Sequence, residues 1–221
     1  MCGDVMDIVD TKRVAVFVDA QNLYHSIKEA FGTTNLRYNE IALAHKLCEN
    51  IRQHEIHILR VTDQNTLWKI VSINFYMAMP NETYDPELHR FWQGKKKYLG
   101  DYHVKVREVD ITYIPISGTR SFERKARGIR EMLTADLLRF TLEGTFDVAL
   151  IFSRSRSLQP TAEQMKSILE NQHRQAKIYS VYPMSGNVTD PHGIPSTDWF
   201  QFNQDVYDAC KHLDCDASKT L

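Results

Sequence analysis

The chain has 221 residues, 43% of them hydrophobic and 25% charged, enough to bury a full core as one domain with a decorated edge. Its formal charge of −1 predicts no general attraction to polyanions, so any nucleic-acid contact must come from local clustering. Residues 1–11 hold no apolar run of signal-peptide length and no stretch is apolar enough to cross a bilayer, which predicts a cytoplasmic protein with no membrane partner. The four cysteines, Cys2, Cys48, Cys210 and Cys215, are scattered and show no disulfide framework. Cys210 to Cys215 has no second cluster to complete a tetrahedral zinc site, so zinc is set aside.

The first element is the most informative. Val14-Ala15-Val16-Phe17-Val18 is an apolar, strand-favouring run that stops at Asp19 and is followed by a short polar turn and a helical stretch. Arg13–Asp19 is therefore a buried strand with an acid at its carboxyl end, where open α/β sheets gather ligands and chemistry. A carboxylate there needs a cation, a metal or strong hydrogen bonds, because burying it alone costs several kcal/mol. Helices follow at Asn22–Phe31 and Asn39–Asn50, then an aperiodic insertion at about 54–68. A strand at Lys69–Met79, a helix at Pro86–Leu99 and a strand at His103–Val109 come next. Ile129–Leu142 reads as a helix, Phe146–Phe152 as a strand, Thr161–Asn171 as a helix and Ala176–Val181 as a strand. A Gly- and Pro-containing loop at 183–195 and a helix at Phe200–His212 end the pattern, and both irregular segments are candidate walls of a site.

This alternation predicts an α/β fold with a mostly parallel central sheet and helices on both faces. The division expected is an extension at 1–12, one domain at 13–212 and a tail at 213–221.

Asp136 is the second informative acid. Leu133, Leu137 and Phe140 form a stripe that should face the sheet, and Asp136 falls inside it. Such an acid is usually satisfied by a neighbouring amide or arginine. With Asp19 expected at the same sheet edge, the two acids could instead form a joint site. Tyr24, His25, Tyr76, Trp92 and Tyr98 could stack on bases, although aromatics at such spacings are more often core. Lys95-Lys96-Lys97 could contact a backbone phosphate, although such a run is more often the solvent face of a helix. The chain has no Gly-x-Ser-x-Gly turn, no P-loop and no histidine spaced to activate Ser153, Ser155 or Ser157, which argues against serine hydrolase and triphosphatase chemistry.

Val18-Asp19-Ala20-Gln21-Asn22-Leu23 resembles the opening signature of NYN domains of the LabA-like group. Arg127-Gly128-Ile129-Arg130, followed by Asp136, resembles that family's Lys-Gly-Val-Asp segment and its later acid. Asp147 to Pro160 resembles its later strand and Ser-Gly-Asp-Ser-Asp-Phe turn. The resemblance implies a PIN-like, Rossmann-like three-layer fold and a metal-dependent ribonuclease class acting on RNA, in which Asp19, Asn22 and Asp136 are catalytic and Asp19 and Asp136 hold metal.

The departures are as informative as the matches. The family acid of the Lys-Gly-Val-Asp segment is Arg130 here, and the two acids of the later turn are Ser155 and Ser157, flanked by Arg154 and Arg156. Glu131 lies one position past the lost acid, where a turn of about 100° aims it elsewhere. One magnesium or manganese ion, weakly held by Asp19 and Asp136, is the most the acids support, and no ion at all is the other expectation. Arg130 or Arg154 is expected to pair with the two acids in the place of a metal. Arg124, Lys125, Arg127, Arg130, Arg154 and Arg156 are expected to form a phosphate-binding rim, unless they are a solvated surface. The expected function is thus an RNA-directed domain for single strands with cleavage weakened or lost; the alternative is an RNA-binding or protein-interaction module without catalysis. Self-association or another protein partner is left open.

Overall fold

The structure is a computed structural model, and it describes residues 10–33, 38–60, 62, 64–118 and 121–211. A seven-stranded sheet has the order β4-β3-β2-β1-β5-β6-β7. Its strands are β1 (Thr11–Asp19), β2 (Leu67–Met79), β3 (Lys105–Pro115), β4 (Phe122–Ala126), β5 (Val148–Phe152), β6 (Lys177–Pro183) and β7 (Asp198–Phe202). Every pairing is parallel except β3 with β4. The helices are α1 (Ala20–Phe31), α2 (Glu40–His54), α3 (Pro86–Asp101), α4 (Ile129–Leu142), α5 (Gln159–Asn171) and α6 (Gln204–Asp208). The fold is α/β and mostly parallel with helices on both faces, as the alternation predicts.

Parallel strands covered on both sides need apolar residues at every position, which is what β1 supplies. Val14, Val16 and Val18 pack into a cluster with Leu23 and Ile27 of α1 and Leu43 and Leu47 of α2. Ala15 and Phe17 pack on the other face with Leu133 and Leu137 of α4 and Met165 of α5. The chain runs from β1 outward to β4, then returns through α4 to place β5 against the free side of β1. The carboxyl ends of β1 and β5 therefore flank a topological switch point, the place where open α/β sheets form a crevice.

Two strands and one helix depart from the sequence expectation. β4, Phe-Glu-Arg-Lys-Ala, is a charged edge strand with no apolar alternation, held in the sheet by antiparallel pairing to β3. The stretch expected to open a helix at Phe200 is instead β7, because it pairs with the exposed edge of β6; α6 starts only after Asn203, whose side chain accepts from the Val206 amide. His212 lies outside the described residues.

The insertion at 54–68 is a π-helical turn at Glu55–Leu59 and the start of β2. It is not a wall at the carboxyl edge. Glu55 is fully buried and accepts from Thr62, from Lys177 Nζ at 2.6 Å and from the Tyr179 hydroxyl at 2.5 Å, at the beginning of β6. Lys95 is not on a solvent face either. It is buried, ion-paired with Glu40 of α2 and set over the Tyr38 ring, so one lysine of the run pins α3 to α2.

Candidate functional site: the Asp19 cavity

Asp19 ends β1 and caps α1. The chain changes from extended to helical at this residue, and the Asp19 carboxylate accepts from the Asn22 amide at 3.1 Å, satisfying one of the free N–H groups at the helix start. The other carboxylate oxygen accepts from Ser153 Oγ, at the end of β5, at 3.4 Å. Asn22 turns its carboxamide oxygen to the Arg154 amide at 2.9 Å. The two edges of the switch point are thus stitched together by Asp19 and Asn22. Burial pushes the Asp19 carboxyl above its ordinary range, against the opposing pull of the Asn22 amide, Ser153 and the positive charges of Arg130 and His25.

A cavity of about 540 Å³ opens over Asp19. Gln21, Asn22 and His25 of α1 line one side, residues 126–131 the other, and Ser155 the floor near β5. The Arg127-Gly128 turn brings α4 in so that its N-terminal end faces Asp19. Gly128 has φ +98°, a conformation that side chains resist, and a Cβ there would sit 3.4 Å from Val109 Cγ1. Two of the positions where the family resemblance places acids, Arg130 and Ser155, line this cavity together with Asp19.

Glu131 also lines the cavity, contrary to the expectation from helical rotation. Residues 126–131, the turn and the start of α4, line the cavity in succession, so one helical step does not take Glu131 off its lining.

Asp136 is placed elsewhere. It faces the sheet as its position in the apolar stripe predicts, but it does not line the Asp19 cavity. Its carboxylate accepts from the Tyr76 hydroxyl at 2.8 Å and from Arg139 at 2.9 Å, with Arg107 at 3.4 Å. Burial alone would push this carboxyl up; the hydrogen bonds from Arg139 and Tyr76 and the nearby guanidinium charges outweigh it and hold it below the ordinary range. These partners are of the kind that satisfies a buried acid.

The six basic residues of the expected rim separate in the same way. Arg154 is 8% exposed and pairs with Glu29 at 2.8 Å and with the Asp190 carbonyl at 2.6 Å, so it fastens the 183–195 loop and α1 to β5 and touches neither Asp19 nor Asp136. Arg156 pairs with the Asp190 carboxylate, Arg124 with Asp85, and Lys125 with Glu123. Arg127 and Arg130 remain: both line the cavity, and neither has an ion pair among the described residues. Arg130 takes part of the role expected of it, since its charge lowers the Asp19 pKa without direct pairing.

A family model described as NYN domain matches residues 13–179. The chain belongs to the NYN domain family. Its matched span runs from β1 into β6 and contains every residue of the Asp19 cavity. NYN domains are a PIN-like nuclease family, generally nucleic-acid binding and generally dependent on divalent metal. No curated protein matches this NYN chain. A crystal structure of a protein of unknown function from Vibrio parahaemolyticus is similar at 16% identity and a TM-score of 0.46, covering 93% of this chain and 98% of that one.

The family's metal does not fit this site. Among the described residues no group of three or more His, Cys, Asp or Glu side chains could hold an ion. Asp19 and Glu131 are the carboxylates that line the cavity, and the Arg130 guanidinium stands where the family resemblance places an acid. Among the described residues, no helix is long and apolar enough to cross a membrane.

Proposed function

We propose that this NYN domain is RNA-directed, binds a backbone phosphate in the Asp19 cavity through Arg127 and Arg130, and has weakened or lost strand cleavage. The observation that carries the reading is the composition of that cavity: a desolvated acid and two arginines without an ion pair replace the carboxylate cluster that would hold metal. Guanidinium groups bind phosphate by paired, charge-assisted hydrogen bonds. The α4 N-terminus adds backbone N–H groups and the positive end of its dipole on the same side. Asp19 and Asn22 then serve to hold the switch point closed and shaped, and Glu131 and Asp19 repel a phosphate seated off the arginines. RNA as the target rests on the family, and single strands on the concave shape of the site.

The test is binding and cleavage of a labelled single-stranded RNA with magnesium, with manganese and with a chelator. Salt-dependent binding that survives chelation and is lost in the Arg127→Ala, Arg130→Ala double variant, without cleavage, is the expected result. Metal-dependent cleavage that disappears in Asp19→Asn would overturn the reading.

A further inference from the structure

We propose that a second cavity, beside the one at Asp19, receives one unpaired nucleobase of the bound strand. This rests on the reading of the Asp19 cavity as a phosphate site and adds the part of the ligand that a phosphate site cannot recognise. The second cavity has a volume of about 520 Å³ and lies between α1, α3, the end of β2 and the β3–β4 hairpin. Its lining includes Tyr24, Met77, Leu88 and Trp92, together with the polar Gln21 and His25 and with Arg124, which is ion-paired to Asp85.

Three features point to a base. The walls are aromatic and apolar, and flat π-surfaces accept any base by stacking. Tyr24 is half-buried and tilted against His25, ring centroids 5.3 Å apart, so it presents an ordered ring. Gln21 is exposed, its carboxamide has no hydrogen bond among the described residues, and it offers both a donor and an acceptor to a base edge.

The position is the deciding observation. Gln21, His25 and Ala126 line both cavities, so the basic site and the apolar site share a wall. A nucleotide joins its base to its phosphate through a single ribose, and only adjoining sites of opposite character can hold both. A base in a duplex is stacked and paired, and lifting it into a cavity costs free energy that a single strand does not spend. The pair of cavities therefore selects single-stranded RNA over duplex.

The experiment compares the affinity of the full chain for a short unstructured oligoribonucleotide, for an abasic ribose-phosphate strand of equal length, and for the corresponding duplex. The base-bearing strand is expected to bind about tenfold tighter than the abasic strand, the size of one stacked base. Tyr24→Ala should remove that margin and leave the abasic affinity unchanged, Tyr24→Phe should restore it, and Arg130→Ala should weaken both strands by the same factor. Equal affinity of the wild-type chain for base-bearing and abasic strands overturns the base pocket and leaves the phosphate site standing. Binding to none of the three overturns both. A Tyr24→Ala chain that melts like wild type and keeps the margin also overturns the pocket.

Discussion

Asp19 and Asp136 both match acids of the same family pattern, both sit on the α4 side of the sheet, and they have opposite surroundings. Asp136 is neutralised by a tyrosine hydroxyl and two guanidinium groups, which hold its carboxyl below the ordinary range. Asp19 has a backbone amide and one long serine contact, and burial holds its carboxyl above that range. A carboxylate that is saturated with partners belongs to the architecture; one left under-paired beside a cavity is available to a ligand.

The largest effect expected from this contrast is on stability. Asp136→Ala strands the buried Tyr76 hydroxyl and should cost about 1–3 kcal/mol. For a chain of this size that is a fall of about 2–4 °C in Tm per kcal/mol, read by calorimetry. RNA affinity should be unchanged below the melting transition, and a loss of affinity in a folded Asp136→Ala chain would place Asp136 back in the site. Next in size is the Arg127→Ala, Arg130→Ala double variant, which should bind RNA at least about tenfold more weakly. The slope of log affinity against log salt should fall by about one for each phosphate contact removed. An unchanged slope would assign both arginines to the solvated surface.

The two acids should also respond to pH with opposite sign. The carboxyl held low contributes stability that is present above the unfolded value, about pH 4, and is lost as pH falls through the depressed native value. Asp136→Asn should therefore be less stable than wild type at pH 7, with the deficit shrinking only in acid. The carboxyl held high does the reverse: ionised Asp19 opposes folding at neutral pH, and that opposition fades as pH falls through its raised value. Asp19→Asn, which keeps a good helix cap, should melt above wild type at pH 7 and converge on it toward pH 4. Parallel pH profiles would remove the contrast. The smallest effect is a null one, since added magnesium should leave the wild-type Tm unchanged. Arg130→Asp combined with Ser155→Asp should make Tm depend on magnesium, because both positions line the cavity with Asp19.

How much of this was legible depends on the range of the interactions involved. Asp19 at a strand end and α4 at Ile129–Leu142 follow from local periodicity, and the structure has both. β4 was missed because its sequence is charged and its strand character comes from β3. The pairing of Arg154 with Glu29 joins residues 125 positions apart, and Lys95 meets Glu40 across 55, so no local spacing could reveal that these cations are structural. Which arginines remain available was therefore a question for tertiary structure. Glu131 lines the cavity although helical rotation alone aims it elsewhere, because the turn before α4 and the start of α4 line the cavity together.

The β3–β4 hairpin brings Ala126 to both cavities and Arg124 to the second, and it is held by a small clasp. Asp85 accepts from the Tyr113 hydroxyl at 2.6 Å and from Arg124 at 2.5 Å, and Tyr84 stacks on Tyr113 with centroids 4.5 Å apart and meets Phe122 edge-on at 4.8 Å. None of these residues lines the Asp19 cavity, and one of them, Arg124, lines the second. The clasp therefore ties the hairpin to the residues that open α3, and with it Arg124, which lines the second cavity. A substitution at Asp85 would free Arg124 from its ion pair and so add an unpaired cation to the lining of the second cavity.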